Sequence, residues 1–334
     1  MAENKNESNV NSGGRMTFFQ SGFGVLVGLF SGVLTAFSNL CIVVAEDGGA
    51  SQFQVAFLNA AVGLIIFAFV MCVKRVAFIP EKWKDRGFVT LNGVLHAVSG
   101  LGLLYALPRA PVGNVVTIVI GSMPIVTALF ACVCLKERPR WFVGVGILID
   151  VTGIILVSKP EFIFGRETGT SVTSQEGIAY FLAFLAAVGL STTYICGRIV
   201  GPTVNPLATT FFVDVFISIV NAIFMIFSRT SEWNLSGVVW VALAGVIVTG
   251  NLGEWARYRS LQIEGAPTVV LLGNIQLVFV YILQITILHE SSDLLDIIGA
   301  ALVLLAATIV AIGSWRVNAK RQTDEENIQL LTSK

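Results

Sequence analysis

Residues 117–160 read TIVIGSMPIVTALFACVCLKERPRWFVGVGILIDVTGIILVSKP. Two apolar runs, each long enough to cross the hydrocarbon of a bilayer at 1.5 Å per helical residue, flank one charged joint, Lys136 to Arg140. The same alternation recurs along nearly the whole 334-residue chain, in apolar runs of 18 to 25 residues. Hydrophobic residues make up 55% of the chain and charged residues 13%, where soluble domains carry about 25% charge. The chain therefore reads as an all-α integral membrane protein, with no soluble domain left over. Cys132 and Cys134 stand i, i+2 on a helix and so point to different faces, which precludes a shared metal. The five cysteines lie in or at the ends of apolar runs, without disulfide-framework spacing, and read as small buried hydrophobes. No metal and no cofactor are expected.

Working outward from the joint, ten spans are predicted at 21–45, 52–73, 88–107, 111–135, 141–158, 177–200, 206–228, 237–259, 266–288 and 296–315. Prolines fall at or between span ends, where a missing N–H costs little; only Pro124 lies well inside one. The first twenty residues lack a short apolar core with a small-residue cleavage site, so the first span is expected to serve as its own insertion signal. Positive residues are retained on the cytoplasmic side of a membrane. With the N-terminus inside, 17 Lys and Arg fall on the cytoplasmic side and 4 opposite. That split predicts cytoplasmic termini and an even number of crossings. Formal net charge is zero, which gives no field to attract nucleic acid.

The chain also repeats itself. Leu135-Lys136-Glu137 is followed nine residues later by Gly146, and Leu288-His289-Glu290 nine residues later by Gly299. Both copies begin at Ala-Pro, Ala110–Pro111 and Ala266–Pro267. Five crossings per copy is an odd number, so the second copy enters from the opposite face and the halves are inverted repeats. The predicted organisation is a tail (1–20), a five-helix repeat (21–158), a non-cytoplasmic linker (159–176), a second five-helix repeat (177–315) and a tail (316–334). Inverted repeats favour alternating access to a site near the midplane.

The run from Ala110 to Gly165, with its Ala-Pro start, mid-helix Pro124, Glu137 after the helix and Gly-rich next helix, resembles the fourth and fifth helices of an EamA-type member of the drug/metabolite transporter superfamily. Its ending KPEFIFG is similar to the (R/K)PPF(L/I)FG ending of the G subfamily of solute carrier family 35, with Glu161 in place of one proline. The resemblance implies ten helices in two inverted EamA-like repeats, and transport of metabolites, amino acids, drugs or nucleotide sugars. It also implies a peripheral place for the helix that carries Asp150.

A lone charge in hydrocarbon costs on the order of 3 kcal/mol by insertion scales, so polar residues within spans should face protein or a wet cavity. His96 is the only histidine at membrane depth, and an imidazole's ordinary pKa of about 6.5 suits a proton-coupled cycle. Its structural alternative is a neutral imidazole bonded to a neighbouring helix. Asp150 and Asp214 are each either a proton-carrying carboxyl or a packing residue. Glu254 and Arg257, i, i+3 in the eighth span, read either as a gate at the inner mouth or, with Arg259, as snorkelling boundary residues. Asn114, Thr117 and Ser122 on the fourth helix are expected to face Asn274 and Gln276 on the ninth. Carbonyls freed beside Pro124 would then complete a neutral site for an organic solute. Tyr194, Thr249 and Asn251 are candidates for the rest of the lining. Gly24, Gly28 and Gly32 form a stripe for close helix approach. The GVG at 144–146 is no dinucleotide fingerprint, since no strand precedes it.

The C-terminal tail is charged and predicted disordered. Its ENIQLL resembles an acidic dileucine signal that would engage sorting adaptors through Glu326, Leu330 and Leu331. Asn234-Leu235-Ser236 is a glycosylation sequon in a short non-cytoplasmic loop. No nucleophile, base and orienter occur together, so no enzyme is expected. The expectation is a multi-pass carrier in the plasma membrane or an endomembrane, moving a metabolite or organic anion, with the bilayer and its solute as partners and a homodimer allowed. The alternative is a transport-inactive adaptor that acts through its tails. Leu at positions 96, 114, 274 and 276 should spare the adaptor and abolish uptake by the carrier.

Overall fold

In the computed structural model, ten helices among the described residues are long and apolar enough to cross a membrane. The structure describes residues 3–137, 139–165, 173–228, 233–287 and 293–332, with side chains from Gly22 onward except at 284, 287, 322 and 325–332. The helices are α1 (Glu3–Asp47), α2 (Gln52–Lys74), α3 (Trp83–Ala106), α4 (Val112–Phe130), α5 (Trp141–Ser158), the one-turn α6 (Glu161–Phe164), α7 (Ser174–Val200), α8 (Pro206–Ser228), α9 (Gly237–Ile263), α10 (Ala266–Gly273), α11 (Ile275–Ile287) and α12 (Leu294–Thr332). α4 continues as a π turn over Ala131–Leu135, and α10 with α11 forms the ninth span, interrupted at Asn274.

Local chemistry sets the ends. Ser51 Oγ accepts from Gln54 N–H at the start of α2, and Thr173 with Glu176 forms a reciprocal capping box at α7. Arg75, Lys136 and Lys159 are the described non-glycine residues with positive φ, and each is the residue at which a helix stops. A cation there also complements the helix dipole. The Lys136–Arg140 joint thus ends α4 by a left-handed turn before Pro139 is reached.

Three expectations are corrected. α3 begins at Trp83, five residues earlier than the apolar run suggested. α12 runs to Thr332, so the charged tail is helical; its Ala, Lys, Arg, Gln and Glu are all strong helix formers. The cysteines are not uniformly buried: Cys196 is, whereas Cys72, Cys132 and Cys134 are exposed. The outside of a membrane bundle is itself apolar, as Phe69, Leu148, Val241 and Phe227 show by facing outward, so an apolar run carries no rule about which face packs.

α1 packs chiefly on α9 and α3 on α7, while α2 packs on α8 and α5 on α12. Exchanging the halves converts the first pair into the second and leaves the other two unchanged, as an internal two-fold requires. One contact makes the repeat explicit. A Cβ on Gly146 would stand 2.5 Å from Val310 Cγ2, and one on Gly299 would stand 2.7 Å from Val157 Cγ2. The same offset of 153 residues relates Gly146 to Gly299 and Val157 to Val310. The fold is therefore two inverted five-helix repeats. The Gly24, Gly28, Gly32 stripe lies against Ile263, Ser260 with Leu272, and Ile275 respectively. Ser260 Oγ donates to Gly24 O at 2.8 Å across that seam. With ten crossings both termini emerge at one face, here the terminus face; the other is the far face.

Candidate functional site

α9 places Asn251, Glu254 and Tyr258 at i, i+3 and i+7, with Arg257 beside them, on the side that meets α2, α3, α7 and α8. Glu254 and Arg257 form an ion pair, Glu254 Oε2 to Arg257 Nη2. Glu254 Oε1 lies 3.8 Å from His96 Nδ1 on α3. The Arg257 guanidinium stands 5.3 Å from the Tyr194 ring centroid and 5.6 Å from that of Tyr258, within cation–π range. Tyr258 Oη donates to Asn92 Oδ1 at 3.1 Å. The three charged or titratable side chains retain 17–20% exposure. Glu254 lies nine residues inside the end of α9, about 14 Å along the helix. At that depth the pair is enclosed, which overturns the boundary reading of Glu254 and Arg257. Arg259 is the residue of the three that stays near the mouth, with its guanidinium bonded to Gln262 and 5.8 Å from the Phe23 ring.

A second focus adjoins the first. Asn251 Nδ2 donates to Asn59 Oδ1 at 2.9 Å and to Ile247 O at 2.8 Å. Its Oδ1 and Asp214 Oδ2 converge on Gly63, where a Cβ would collide with the former and stand 2.8 Å from the latter. Gly63 is required there for this close approach. Asp214 is 4% exposed and its Oδ2 has no hydrogen-bond partner. His96, Tyr194, Asp214, Asn251, Glu254 and Arg257 are thus brought together, with α3 supplied by one repeat and α7, α8 and α9 by the other.

The remaining candidates lie elsewhere. Asn114 does not face Asn274: its Nδ2 donates to Tyr180 Oη at 2.7 Å and its Oδ1 accepts from Glu161 N–H at 2.6 Å, near the far face. Inversion explains this, because Asn114 follows Pro111 by three residues whereas Asn274 follows Pro267 by seven and starts from the opposite face. Thr117 pairs with Ser158 Oγ, and Ser122 and Thr249 donate to carbonyls of their own helices, Ile118 and Gly245. Asn274 donates to Asp150 Oδ2 at 2.6 Å, joining α5 to the break between α10 and α11; Gln276 is half-buried on the next turn. Asp150 is wholly buried there. Pro124 sits buried within an unbroken α4. Sequence reasoning missed Asn59, Gly63, Asn92, Ser218, Asn221 and Tyr258. The i, i+4, i+7 spacing of Asp214, Ser218 and Asn221 on α8 was the available signal.

Each face carries polar contacts between the halves. At the terminus face Arg198 binds Glu137 Oε1 at 3.2 Å and the carbonyls of Leu261 and Gln262 at the end of α9. A cleft of about 310 Å³ beside it is lined by Arg140, Arg198, Glu264, Asn318 and Arg321 among others. Burial pushes the Glu264 carboxyl above its ordinary value, against the opposing pull of its bonds to Asn318 and Ser314 and of Arg198 and Arg140. At the far face Lys159 Nζ lies 2.9 Å from Asp293 Oδ2 and 2.8 Å from Asp296 Oδ1. Burial pulls its pKa down, and bonding to the two carboxylates outweighs that and raises it.

Known proteins share this architecture. The EamA-like transporter family matches residues 22–159 and 177–312, one match per repeat. Human solute carrier family 35 member G1 is 25% identical over 303 residues, covering 90% of this chain and 81% of that one. An uncharacterized transporter of Archaeoglobus fulgidus is 28% identical over 279 residues, covering 78% of this chain and 88% of its own. A solved structure titled "Crystal structure of protein" superposes with a TM-score of 0.71 at 18% identity, covering 88% of this chain and 98% of that chain, which speaks to the fold alone. With two matches that together span most of its length, one to each half of the bundle, the chain belongs to the EamA-like transporter family.

Proposed function

We propose that the protein carries a small organic solute, a metabolite or organic anion, across its membrane by alternating access, and that it is not an enzyme. The observation that carries this reading is the enclosed His96, Tyr194, Glu254, Arg257 cluster, at membrane depth between helices of opposite repeats. A buried guanidinium whose partner is a carboxylate on its own helix can exchange that partner for an anionic or polar group of the solute. The contacts at each face, Arg198 with Glu137 and Lys159 with Asp293 and Asp296, are the pairs that would break in turn as one mouth opens. The charge asymmetry of the loops supports cytoplasmic termini. Arg257 leaves that tally because it is enclosed, and the asymmetry survives its removal. Glu326, Leu330 and Leu331 remain proposed adaptor contacts; their side chains lie outside the described residues. Asn234 lies two residues before Ser236, whose hydroxyl caps α9.

Thermal-shift measurement of the purified protein against a metabolite panel at two pH values tests the proposal, because a solute that binds the folded state raises the melting temperature. The expected result is a stabilising anionic metabolite whose effect is lost in Arg257→Gln. A broad panel with no stabilising member would favour the adaptor reading.

A further inference from the structure

We infer that Asp214 is a proton-binding site, loaded from the far face along the polar stripe of α8, which rests on the carrier reading by making its cycle proton-coupled. Four observations converge on it.

The first is charge. The cluster of α3, α8 and α9 holds two carboxylates, Asp214 and Glu254, and one guanidinium, Arg257, which is paired with Glu254. Asp214 is left without a cation, and a bare carboxylate at 4% exposure within a membrane is costly. One added positive charge neutralises it.

The second is hydrogen-bond direction. Asn251 Nδ2 is committed to Asn59 Oδ1, Asn59 O and Ile247 O, which aims Asn251 Oδ1 toward Gly63 and Asp214 Oδ2. Two acceptor oxygens therefore converge with no hydrogen between them. A single proton satisfies both: it forms an O–H bond on Asp214 and is donated to Asn251 Oδ1. A calcium or magnesium ion would need about six oxygens in that place.

The third is the route. Ser218 and Asn221 follow Asp214 at i+4 and i+7, and Ser218 Oγ and Asn221 Oδ1 also have no hydrogen-bond partner. α8 runs from the terminus face toward the far face, so the stripe leads outward from Asp214. Its end lies beside Phe224, which stacks on Phe53 of α2 at 5.6 Å between ring centroids.

The fourth is the surroundings. Of the titratable and charged groups on the packed helices, His96 on α3, Tyr194 on α7 and Glu254, Arg257 and Tyr258 on α9 gather in the cluster, while Lys84, Asp85, Arg86 and Tyr105 on α3, Glu176, Tyr180, Cys196 and Arg198 on α7 and Arg259 on α9 lie toward the helix ends. On α2 they are Cys72 and Lys74, both exposed at its terminus-face end, and α8 has no other. Among these Glu254 is the other carboxylate of the cluster. Displacing Arg257 from Glu254 would strengthen the carboxylate field at Asp214, which ties proton affinity to solute binding. The step itself is a proton transfer from hydronium at the far face to the carboxylate, giving a neutral carboxylic acid and water.

Infrared spectroscopy of the full chain in nanodiscs, titrated with pH and without solute, tests the site directly. The wild type should show a protonated-carboxyl band with a component that titrates. Asp214→Asn should abolish that component, Asp214→Glu should shift it, and Asp150→Asn and Glu254→Gln should retain it. A titrating component that survives in a folded Asp214→Asn variant, or that belongs to Asp150 or Glu254, overturns the inference. So does its displacement by sodium at constant pH. Titration by Asp214 in a protein that binds no solute would sink the carrier reading alone, and solute-dependent stabilisation without titration would sink this inference alone.

Discussion

Neutralising one member of the Glu254–Arg257 pair should cost more than neutralising both. Removing one partner of an enclosed pair strands the other and typically costs about 3–5 kcal/mol, while replacing the pair together is close to neutral. The geometry ranks the single variants. In Glu254→Gln the guanidinium keeps two aromatic faces, at 5.3 and 5.6 Å from Tyr194 and Tyr258, each contributing about 0.5–1 kcal/mol. In Arg257→Gln the carboxylate loses its permanent cation and keeps the neutral Tyr258 hydroxyl and His96 at 3.8 Å, the imidazole attracting it only when protonated. Arg257→Gln should therefore lie at the upper end of the range, near 5 kcal/mol, and Glu254→Gln near 3. The double variant should recover at least about 2 kcal/mol relative to Arg257→Gln, roughly thirtyfold in the unfolding equilibrium. Unfolding in mixed micelles of increasing denaturing-detergent fraction, followed by tryptophan fluorescence, measures all three. Single variants within about 0.5 kcal/mol of the wild type would refute the reasoning, since that is the behaviour of solvated surface pairs.

Gly146→Ala and Gly299→Ala should each destabilise by about 1–3 kcal/mol, because the new methyl meets Val310 or Val157 at 2.5 or 2.7 Å; the same unfolding assay reads this, and symmetry requires similar values for the two. Gly63→Ala should displace Asn251 and Asp214 and abolish solute-dependent stabilisation in the thermal-shift assay. The Glu264 carboxyl is raised above its ordinary value of 4.5, so its contribution to stability is fully present below 4.5 and is lost as pH rises through the folded value. The stability difference between Glu264→Gln and wild type should therefore shift in favour of the variant on going from pH 4 to neutrality. Lys159→Ala should cost only about 1 kcal/mol, since Asp293, one of its two partners, is 79% exposed, and should lose that effect in high salt.

Much of the fold was legible because hydrocarbon imposes a length on every crossing helix. The ten spans, the Pro and Lys/Arg punctuation and the Gly146/Gly299 correspondence all follow from local sequence. Helix packing was partly legible: the Gly24, Gly28, Gly32 stripe announced a close neighbour but not that the end of α9 and the break between α10 and α11 would lie against it. The site was legible residue by residue and not as a constellation. His96, Asp214 and Glu254 were noticed because each is costly in lipid. Asn114 and Asn274 were noticed by the same logic and serve instead to tie Tyr180, Glu161 and Asp150, because polarity at depth marks an obligation to find a partner and does not say which partner.

Composition, span length and charge placement by themselves determined that this chain is a ten-helix membrane protein built from two oppositely oriented halves. Only the tertiary structure decided that α3 of one half meets α7, α8 and α9 of the other, so that His96, Asp214, Glu254 and Arg257 share one enclosure. Hydropathy acts along the chain and is read locally. Pairing between distant helices depends on which small residues permit close approach, as Gly63 does for Asn251 and Asp214, and that is a property of two surfaces brought together.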